Sequence, residues 1–355
     1  MSHKVLIPGG AGFVGSSLAI ALKSHHPNWK IICFDNLRRR GSELNLPRFR
    51  KLGIEFVHGD IRAESDLDPL VLDVDTIIDC SAEPSVLAGF SSPRYVLQTN
   101  LVGTINLLEL ARKLKARLLF LSTSRVYPIA ALKAIPLIET ASRFEIDPMQ
   151  SAIGVSEGGI SESFSLAGSR SLYGATKLAS ELLIEEYRES YDIPTIVNRC
   201  GVLTGPWQMG KIDQGVFVLW VAAHHFQRSL KYIGYGGTGK QVRDLLHIAD
   251  LVDLVHYQLE NFSELNGDVL NVGGGMANSL SLLETTKLCE EITGKQIQIE
   301  SLEEERSGDI PIFVTDSTEV LHKTGWYPKR NARQTLEEIY QWIIEYEDQL
   351  KPILL

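Results

Sequence analysis

The stretch Val5-Leu6-Ile7-Pro8-Gly9-Gly10-Ala11-Gly12-Phe13-Val14-Gly15 decides the fold of this chain of 355 residues. It begins as an apolar strand and continues as a glycine cluster, and a helical pattern follows from Ser16. The cluster fits G-x-G-x-x-G from Gly10 and G-x-x-G-x-x-G from Gly9. Glycines alone often mark only a turn. Between a strand and a helix they predict a dinucleotide-binding loop, whose backbone N–H groups meet a pyrophosphate.

Short apolar strands alternate with helical patterns through the first 200 residues. Strands are predicted at 31–34, 54–60, 76–80, 117–121 and 195–199, and a long helix at 98–115. This alternation is typical of parallel sheets, whose ligands gather at the carboxyl ends of the strands. We expect an α/β fold: a Rossmann-like doubly wound parallel sheet with a smaller mixed α/β substrate-binding lobe. The predicted NAD-binding domain is 1–200 plus about 241–275, and the predicted lobe is 201–240 plus 276–355.

Acidic and small residues follow these strands where a dinucleotide would lie. Asp35 comes twenty residues after Gly15, about where a carboxylate meets the adenosine ribose and repels a 2′-phosphate. NAD is therefore favoured over NADP, although Arg38-Arg39-Arg40 can hold that phosphate, form a solvated turn or cover the adenine. The predicted cofactor contacts are Gly9, Gly12, Phe13, Val14, Gly15, Asp35, Asn36, Arg39, Asp60, Ile61, Ser81, Ala82, Glu83, Asn100, Ser122, Tyr173, Lys177 and Cys200.

A second stretch, Ser171-Leu172-Tyr173-Gly174-Ala175-Thr176-Lys177, carries the candidate chemistry. It opens a predicted helix, so Tyr173 and Lys177 lie four residues apart on one face. A free tyrosine has a pKa of about 10, and a nearby ammonium lowers that pKa, so the phenolate can take a proton from a sugar hydroxyl near neutral pH. Among the eleven tyrosines, only Tyr173 has a lysine four residues later. A chance pair on a helix surface would give the same spacing.

Composition excludes several classes of protein. The net charge of −9 argues against a general nucleic-acid binder, and the longest apolar runs, such as 216–223, are too short for a membrane span. The four cysteines lie far apart without Cys-x-x-Cys, which indicates reduced thiols rather than a disulfide frame or a zinc site. Residues 1–4 lead straight into a predicted strand, so we expect no signal peptide and a cytoplasmic protein.

Together these features resemble an extended short-chain dehydrogenase/reductase of the NAD-dependent sugar-nucleotide epimerase/dehydratase family. In that family the Tyr and Lys act with a Ser or Thr four residues before the Tyr of a V-Y motif, and Thr123 holds this position relative to Tyr127. The resemblance covers nearly the whole chain and implies catalytic roles for Thr123, Tyr173 and Lys177. It also implies NAD as cofactor, a nucleotide sugar as substrate, and a homodimer formed through helices near 98–115 and 172–191.

The two residues after Thr123 distinguish this chain from two branches of the family. The 4,6-dehydratases carry Thr-Asp-Glu at the end of this strand, because elimination of water needs an acid and a base. The nucleotide-glucuronate decarboxylases carry Thr-Ser-Glu. Here Thr123 is followed by Ser124 and Arg125. Without an acidic pair beside the triad, oxidation and re-reduction of the sugar is the simpler chemistry.

A narrower resemblance points to the CDP-paratose (CDP-tyvelose) 2-epimerases. The chain departs from that group at 79–83, where His-Leu-Ala-Gly/Ala-Gln is commoner, at Cys200-Gly201, where a polar pair is usual, and at Pro128, where glycine is usual. These changes bear on the identity of the sugar more than on the type of reaction. The resemblance is carried by Asp35-Asn36-Leu37-Arg38-Arg39-Arg40-Gly41, Asp213-Gln214-Gly215, Gly239-Lys240-Gln241-Val242-Arg243-Asp244-Leu245-Leu246-His247, Asn271-Val272-Gly273-Gly274 and Asn278-Ser279-Leu280-Ser281-Leu282-Leu283-Glu284.

The second half of the chain is predicted to bind the nucleotide sugar. Residues 129–170 form a long insertion, interpreted as a flap over the sugar or as a solvated surface excursion. Arg243 and Arg306 suit paired phosphate oxygens, and their match to the family's K-Q-V-R-D and R-x-x-D supports that role over ordinary surface salt bridges. The predicted substrate contacts are Glu83, Ser124, Arg125, Gln214, Arg243 and Arg306.

Two further patterns have structural interpretations. Asp244, His247 and Asp250 are spaced like a metal cluster, but Asp244 would also serve as the N-cap of a helix. We favour the cap and predict no metal site. The tail, 336–350, is expected to form one amphipathic helix that packs on the lobe.

The predicted function is that of an NAD-dependent nucleotide-sugar epimerase. By resemblance, the enzyme inverts C2 of a CDP-hexose or CDP-dideoxyhexose by transient oxidation and re-reduction with tightly bound NAD. A nucleotide-sugar 4-epimerase or a reductase of the same family is the alternative, and only a reductase would consume the cofactor. A non-catalytic NAD-binding protein is a third possibility, against which the intact Thr123, Tyr173 and Lys177 argue.

Overall fold

A computed structural model describes residues 3–68, 73–211, 214–306 and 308–355. In chain order the strands are β1 (Lys4–Pro8), β2 (Lys30–Asp35), β3 (Glu55–His58), β4 (Thr76–Asp79), β5 (Arg117–Thr123), β6 (Leu137–Glu139), β7 (Phe144–Ile146), β8 (Val155–Ser156), β9 (Gly159–Ile160), β10 (Thr195–Cys200), β11 (Val202–Thr204), β12 (Leu230–Ile233), β13 (Val242–His247), β14 (Val269–Val272), β15 (Ser279–Ser281), β16 (Ile299–Leu302) and β17 (Ile312–Phe313).

Helices connect many of these strands and form the end of the chain. In chain order they are α1 (Phe13–His25), α2 (Leu46–Leu52), α3 (Glu64–Leu67), α4 (Ala88–Ser91), α5 (Pro93–Leu97), α6 (Gly103–Leu114), α7 (Ile129–Lys133), α8 (Leu172–Tyr191), α9 (Val216–His225), α10 (Ile248–Glu260), α11 (Leu282–Thr293), α12 (Thr318–Thr324), α13 (Ala332–Glu345) and α14 (Glu347–Leu354). None of the helices in the described ranges combines the length and apolar composition that a bilayer span requires.

Seven strands form the main sheet in the order β14-β10-β5-β4-β1-β2-β3. The pairs β1–β2, β1–β4, β2–β3 and β4–β5 are parallel. Because β1 lies between β2 and β4, the winding reverses at β1, and the carboxyl ends of β1 and β4 face the crevice where such sheets bind ligands. The predicted Rossmann-like doubly wound sheet is confirmed, and each predicted strand overlaps an observed one.

Apolar side chains explain why these strands are central. Val5, Leu6 and Ile7 of β1 are fully buried, and so are Ile77 and Ile78 of β4. The same core includes apolar residues of β2, β5 and β10 together with those of α6 and α8. Continuous apolar runs of this kind are typical of parallel strands that are covered on both faces.

The contact pattern divides the chain into two units. Unit 1 comprises Met1–Val126, Leu172–Arg199 and Val252–Val269, and unit 2 comprises Tyr127–Ser171, Cys200–Leu251 and Leu270–Leu355. These boundaries differ from the predicted ones, since 127–171, Cys200, 241–251 and 270–275 belong to the second unit. Unit 2 therefore takes about half of the chain, more than the predicted lobe.

Unit 2 has its own sheet, in which β13 pairs with β11, β15 and β17. The insertion at 129–170 belongs to this unit and is not a structureless loop, because β6–β7 and β8–β9 form two small hairpins within it. The backbone N–H of Phe144 donates to the carbonyl of Lys240 at 3.0 Å, and that of Ile160 to the carbonyl of Val314 at 2.8 Å. These bonds tie the insertion to its own unit, which argues against a solvated excursion. Its role as a flap stays a prediction.

Two predicted helices are interrupted. The segment predicted as one helix at 98–115 contains a π-helical stretch, Gln98–Val102, before α6 begins. The tail helix predicted at 336–350 is divided at Tyr346 into α13 and α14. The tail is amphipathic as predicted, since Leu336, Ile339, Trp342 and Ile343 are buried, whereas Tyr346 is only partly buried.

A buried ion pair joins three elements of unit 1. Arg199 at the end of β10 donates to both carboxylate oxygens of Glu181 on α8, with Nη2 2.7 Å from Oε2. Both side chains are less than a tenth exposed. The hydroxyl of Ser122 on β5 donates to Oε1 of the same carboxylate. A buried pair with saturated hydrogen bonding is costly to break, because the remaining charge is left without a partner.

We predict that Glu181→Gln lowers the free energy of unfolding by about 3–5 kcal/mol, because it removes the carboxylate charge that pairs with the buried guanidinium of Arg199. The matched control is Glu55→Gln, which removes an exposed partner of Lys30 and should cost less than about 1 kcal/mol. Urea denaturation followed by circular dichroism measures both. Equal losses in the two variants would contradict the assignment.

Candidate active site

The glycine loop after β1 is shaped by close backbone contacts. Gly9 has φ +70°, and a Cβ at this position would lie 2.7 Å from the carbonyl oxygen of Cys80, which follows β4. A Cβ at Gly12 would lie 3.2 Å from the carbonyl oxygen of Gly9 and, apart from its neighbours in the chain, within 4 Å of no other atom of the described residues. Gly12 is also the N-cap of α1 and provides no side-chain cap. The space above Gly12 is therefore open, and the N–H groups of the first turn of α1 have no acceptor within the helix.

Asp35 orders this loop from the end of β2. Its Oδ2 accepts from the backbone N–H of Ala11 at 3.1 Å, and its Oδ1 accepts from that of Leu37 at 2.8 Å. Burial raises the pKa of the Asp35 carboxyl, and these backbone bonds oppose the rise. Each carboxylate oxygen has further acceptor capacity, as the predicted contact with the adenosine ribose requires. Asn45 holds the loop from the other side, since its Nδ2 donates to the carbonyl of Ala11 at 2.9 Å.

Asp60 forms a second acidic centre beside the first. Arg62 donates to both of its carboxylate oxygens, at 2.9 and 2.6 Å, and Asn36 Nδ2 donates to Oδ2 at 3.0 Å. The hydrogen bonds from Arg62 lower the pKa of Asp60, so the carboxylate is charged at neutral pH. The guanidinium groups of Arg38 and Arg62 lie over the ring of Tyr95, at 4.2 and 5.1 Å from its centroid. Arg38 therefore stacks on an aromatic ring although its side chain is exposed.

The residues around this loop fit a dinucleotide. The open space at Gly12 suits a pyrophosphate at a helix N-terminus, and the half-buried carboxylate of Asp35 suits a ribose diol. The side chain of Ile61 is buried and packs closely against Gly103 on α6, where a Cβ would collide with it. Only the Ile61 backbone is therefore available for the predicted contact with the adenine.

Lys177 lies on the inner face of α8 and is only 2% exposed. Its Nζ donates to the carbonyl oxygen of Leu121 at 2.9 Å and to that of Ser81 at 3.5 Å, and it lies 4.2 Å from the centroid of the Phe120 ring. A buried ammonium needs such acceptors. The three contacts fix the lysine at the carboxyl ends of β4 and β5.

Asp79, a residue that sequence reasoning did not assign to the site, is the last residue of β4 and is fully buried. Its Oδ1 accepts from the backbone N–H of Ser81 at 2.9 Å and from the Ser81 hydroxyl at 2.5 Å. Burial raises the pKa of Asp79, and the charge of Lys177 opposes the rise. Asp79 therefore orders the turn whose Ser81 carbonyl accepts from Lys177. The sequence carried one signal for this residue: an aspartate stands at position 79, where histidine is commoner in the resembled group.

Tyr173 and Thr123 lie on elements that pack together. Tyr173 is half-buried in the first turn of α8, four residues before Lys177, as the spacing predicts. Thr123 is the buried last residue of β5, and its Oγ1 accepts from the backbone N–H of Arg125 at 3.2 Å. α8 packs against β5 and the turn of residues 124–126. The Thr123 hydroxyl proton is available to donate.

Asn100 and Ser122 have internal partners. Asn100 accepts from the backbone N–H of Glu83 at 2.7 Å and donates to its carbonyl at 3.1 Å, and it also donates to the Thr176 hydroxyl at 3.2 Å. Asn100 therefore holds the backbone of Glu83, a predicted contact residue, against α8. The Ser122 hydroxyl is bound by Glu181, which leaves its backbone for the predicted cofactor contact. Cys200 is buried at the end of β10.

In unit 2, Asp309 contacts both predicted phosphate ligands. Arg243 Nη2 donates to Asp309 Oδ1 at 2.9 Å and to the carbonyl of Ile310 at 2.7 Å. The backbone N–H of Asp309 donates to the carbonyl of Arg306 at 3.1 Å, so the Arg306 backbone lies close to this pair. Gln214 is half-buried and forms an isolated backbone bridge with Lys211. Asp213 of the same motif lies outside the described residues.

The prediction that Asp244 is a helix N-cap is wrong. Asp244 lies in the middle of β13 and is fully buried, and α10 begins four residues later, where His247 Nδ1 accepts from the backbone N–H of Ala249 at 3.0 Å. The three members of the motif have separate partners: Asp244 binds the backbone N–H of Gly275, His247 pairs with Glu338, and Asp250 pairs with Arg330. These partners give each residue of the motif a structural role.

The sheet, the glycine loop and the buried lysine define a dinucleotide-binding α/β enzyme. The family model described as NAD dependent epimerase/dehydratase family matches residues 5–273. The CDP-paratose 2-epimerase of Salmonella typhi is 33% identical over 348 residues, which cover 96% of this chain and 98% of that protein. The structure of dTDP-glucose 4,6-dehydratase from Bacillus anthracis, in complex with NAD, has a TM-score of 0.75 and 26% identity over 99% of this chain and 100% of that one. A UDP-glucose 4-epimerase from Thermotoga maritima, at 22% identity, shares the fold, with a TM-score of 0.78 over 97% of this chain and 99% of that one.

The chain belongs to the NAD-dependent epimerase/dehydratase family. The predicted family, the assignment as an NAD-dependent enzyme and the choice of NAD as cofactor are confirmed at this level.

We predict that Gly12→Ala folds but binds NADH roughly tenfold or more weakly. The added methyl requires a shift of only a few tenths of an ångström at the Gly9 carbonyl and fills the space that suits the pyrophosphate, and a lost hydrogen bond to a charged group is worth about 1.5–3 kcal/mol. Calorimetric titration with NADH measures the affinity. Gly53→Ala is the control, because it leaves the loop unchanged. Full affinity in Gly12→Ala would contradict the assignment.

Proposed function

We propose that the protein is an NAD-dependent nucleotide-sugar epimerase that works by transient oxidation and re-reduction of one sugar carbon. The observation that carries the proposal is the buried Lys177 at the carboxyl ends of β4 and β5, one helical turn from Tyr173. Thr123 followed by Ser124 and Arg125 leaves no carboxylate at the positions that dehydratases and decarboxylases use. When bound, NAD supplies the acceptor and donor of the hydrogen that leaves and returns to the sugar carbon.

Each residue of the triad has one task in this scheme. Tyr173, as phenolate, removes the proton of the reacting hydroxyl and returns it after inversion. The Lys177 ammonium favours that phenolate and donates to the cofactor ribose. Thr123 donates its hydroxyl proton to the oxygen that becomes the ketone. Arg243 and Arg306 bind the diphosphate, which lets the keto-sugar turn over without leaving.

The proposed substrate is a CDP-hexose or CDP-dideoxyhexose, and the proposed reacting carbon is C2. Support comes from the 33% identity to CDP-paratose 2-epimerase over almost the full length of both chains. The second candidate is a 4-epimerase, because a UDP-glucose 4-epimerase shares the fold. A net reductase differs from both, since it would release oxidised cofactor with each turnover.

We predict that Tyr173→Phe lowers kcat by about 10²–10⁴-fold, because the general base is lost, while NADH affinity changes little. Tyr327→Phe is the control, since Tyr327 is exposed in unit 2 and outside the triad. Sugar epimerisation followed by proton NMR and NADH titration give the two readouts. Full turnover by Tyr173→Phe would refute the proposed chemistry.

A homodimer formed through α8 and the helical segment from α5 to α6 is a further part of the proposal. These helices pack side by side in unit 1. Leu182 and Tyr191 on α8 are 58% and 52% exposed, and Leu97 and Val102 on the neighbouring segment are also exposed. Apolar side chains on adjacent helices suit an interface between two copies of the chain.

We predict that Leu182→Glu converts the dimer into a monomer, because it places a charge in the interface. Leu321→Glu on α12 changes a similarly exposed leucine outside these helices and should leave the dimer intact. Light scattering coupled to size exclusion measures the mass. A monomeric wild type would exclude the dimer, and a dimeric Leu182→Glu would place its interface elsewhere.

A further inference from the structure

Three metal-ligating side chains meet where two helices of unit 1 end. α1 ends at His25, and His26 is its C-cap residue. α10 ends at Glu260, with His256 one turn earlier on the same face. The candidate ligand atoms of His26, His256 and Glu260 all lie within 4.8 Å of one another. The two histidines are 230 residues apart, so no local pattern in the sequence reveals the cluster.

The three ligand atoms lie near tetrahedral spacing, which small side-chain shifts would complete. His26 Nε2 and His256 Nε2 are 2.8 Å apart, and His256 Nε2 is 3.5 Å from Glu260 Oε1. Ligand atoms that lie about 2.0–2.1 Å from a tetrahedral zinc ion are separated from each other by about 3.3 Å. Only one proton can lie between two ring nitrogens in hydrogen-bonding contact. One nitrogen therefore donates, and the other already directs a lone pair at it. An ion between the rings would replace that proton.

The surroundings also favour a cation. The C-termini of α1 and α10 both contribute partial negative charge at this point. The Trp29 ring stacks on His26 with centroids 3.9 Å apart and planes 7° from parallel, which fixes the orientation of the imidazole. Imidazole and carboxylate ligands suit zinc, whereas magnesium and calcium prefer oxygen ligands only.

We propose that His26, His256 and Glu260 bind one zinc ion, with water completing the coordination, and that this ion fastens the end of α1 to the end of α10. No motif in the sequence predicts this site. It lies apart from the glycine loop, since the thirteen residues of α1 between them span about 20 Å. The proposal is therefore independent of the proposed function, and catalysis should not require the ion.

The test uses untagged full-length protein that has been treated with EDTA and then titrated with zinc chloride by calorimetry. We expect one site per chain and a thermal midpoint that rises by several degrees with zinc. His256→Gln and Glu260→Gln should each weaken binding by about tenfold or more and reduce the thermal shift. His25→Gln is the matched control, because its exposed ring lies 4.9 Å from that of His256 but outside the ligand set.

The outcomes separate clearly. Equal thermal midpoints of wild type and variants in EDTA show that the variants fold, so their loss of zinc binding supports the site. Magnesium chloride should give no saturable heat. Absence of a saturable zinc site in the wild type, or wild-type affinity in His256→Gln, would overturn the proposal.

Discussion

The buried ammonium of Lys177 is the constraint on which the rest of unit 1 depends. An ammonium inside a protein must have acceptors, and here they are the carbonyl oxygens of Leu121 and Ser81. Leu121 lies near the carboxyl end of β5, and Ser81 follows the carboxyl end of β4. Both strand ends adjoin the crevice where such sheets bind ligands. Satisfying this one side chain therefore fixes α8 along its axis and brings Tyr173 to the same edge of the sheet. The folding requirement and the catalytic requirement coincide at one residue.

Glu181, a second charged residue on the same face of α8, strengthens this arrangement. Lys177, Ser180, Glu181 and Ile184 follow the i, i+3, i+4, i+7 spacing that usually buries apolar residues. Glu181 is tolerated there because Arg199 and Ser122 saturate it. Such a face has few acceptable registers, since a slip along the axis would leave two buried charges without partners. The helix is thus held by specific bonds as well as by apolar packing.

Local patterns predicted the sheet and the cofactor loop, because those elements follow from features a few residues apart. The strand around Leu6, the turn at Gly9 and the spacing of Tyr173 and Lys177 are of this kind. The Asp244 prediction failed because the motif does not show where β13 ends, and an aspartate suits either a cap or a satisfied buried position. Asp79 was missed as a site residue, since its role depends on the folded turn at Ser81.

The most direct test of the central claim is proton NMR of the purified protein with CDP-, UDP- and GDP-sugars in D₂O, without added cofactor. The account predicts that a gluco-type CDP-sugar gains a manno-type anomeric signal and keeps protium at C2, because the hydrogen returns from tightly bound cofactor. Deuterium at C2 would indicate enolisation and contradict the proposed chemistry. A change at C4 instead would contradict the assigned carbon, and no change with any sugar would contradict the enzymatic role.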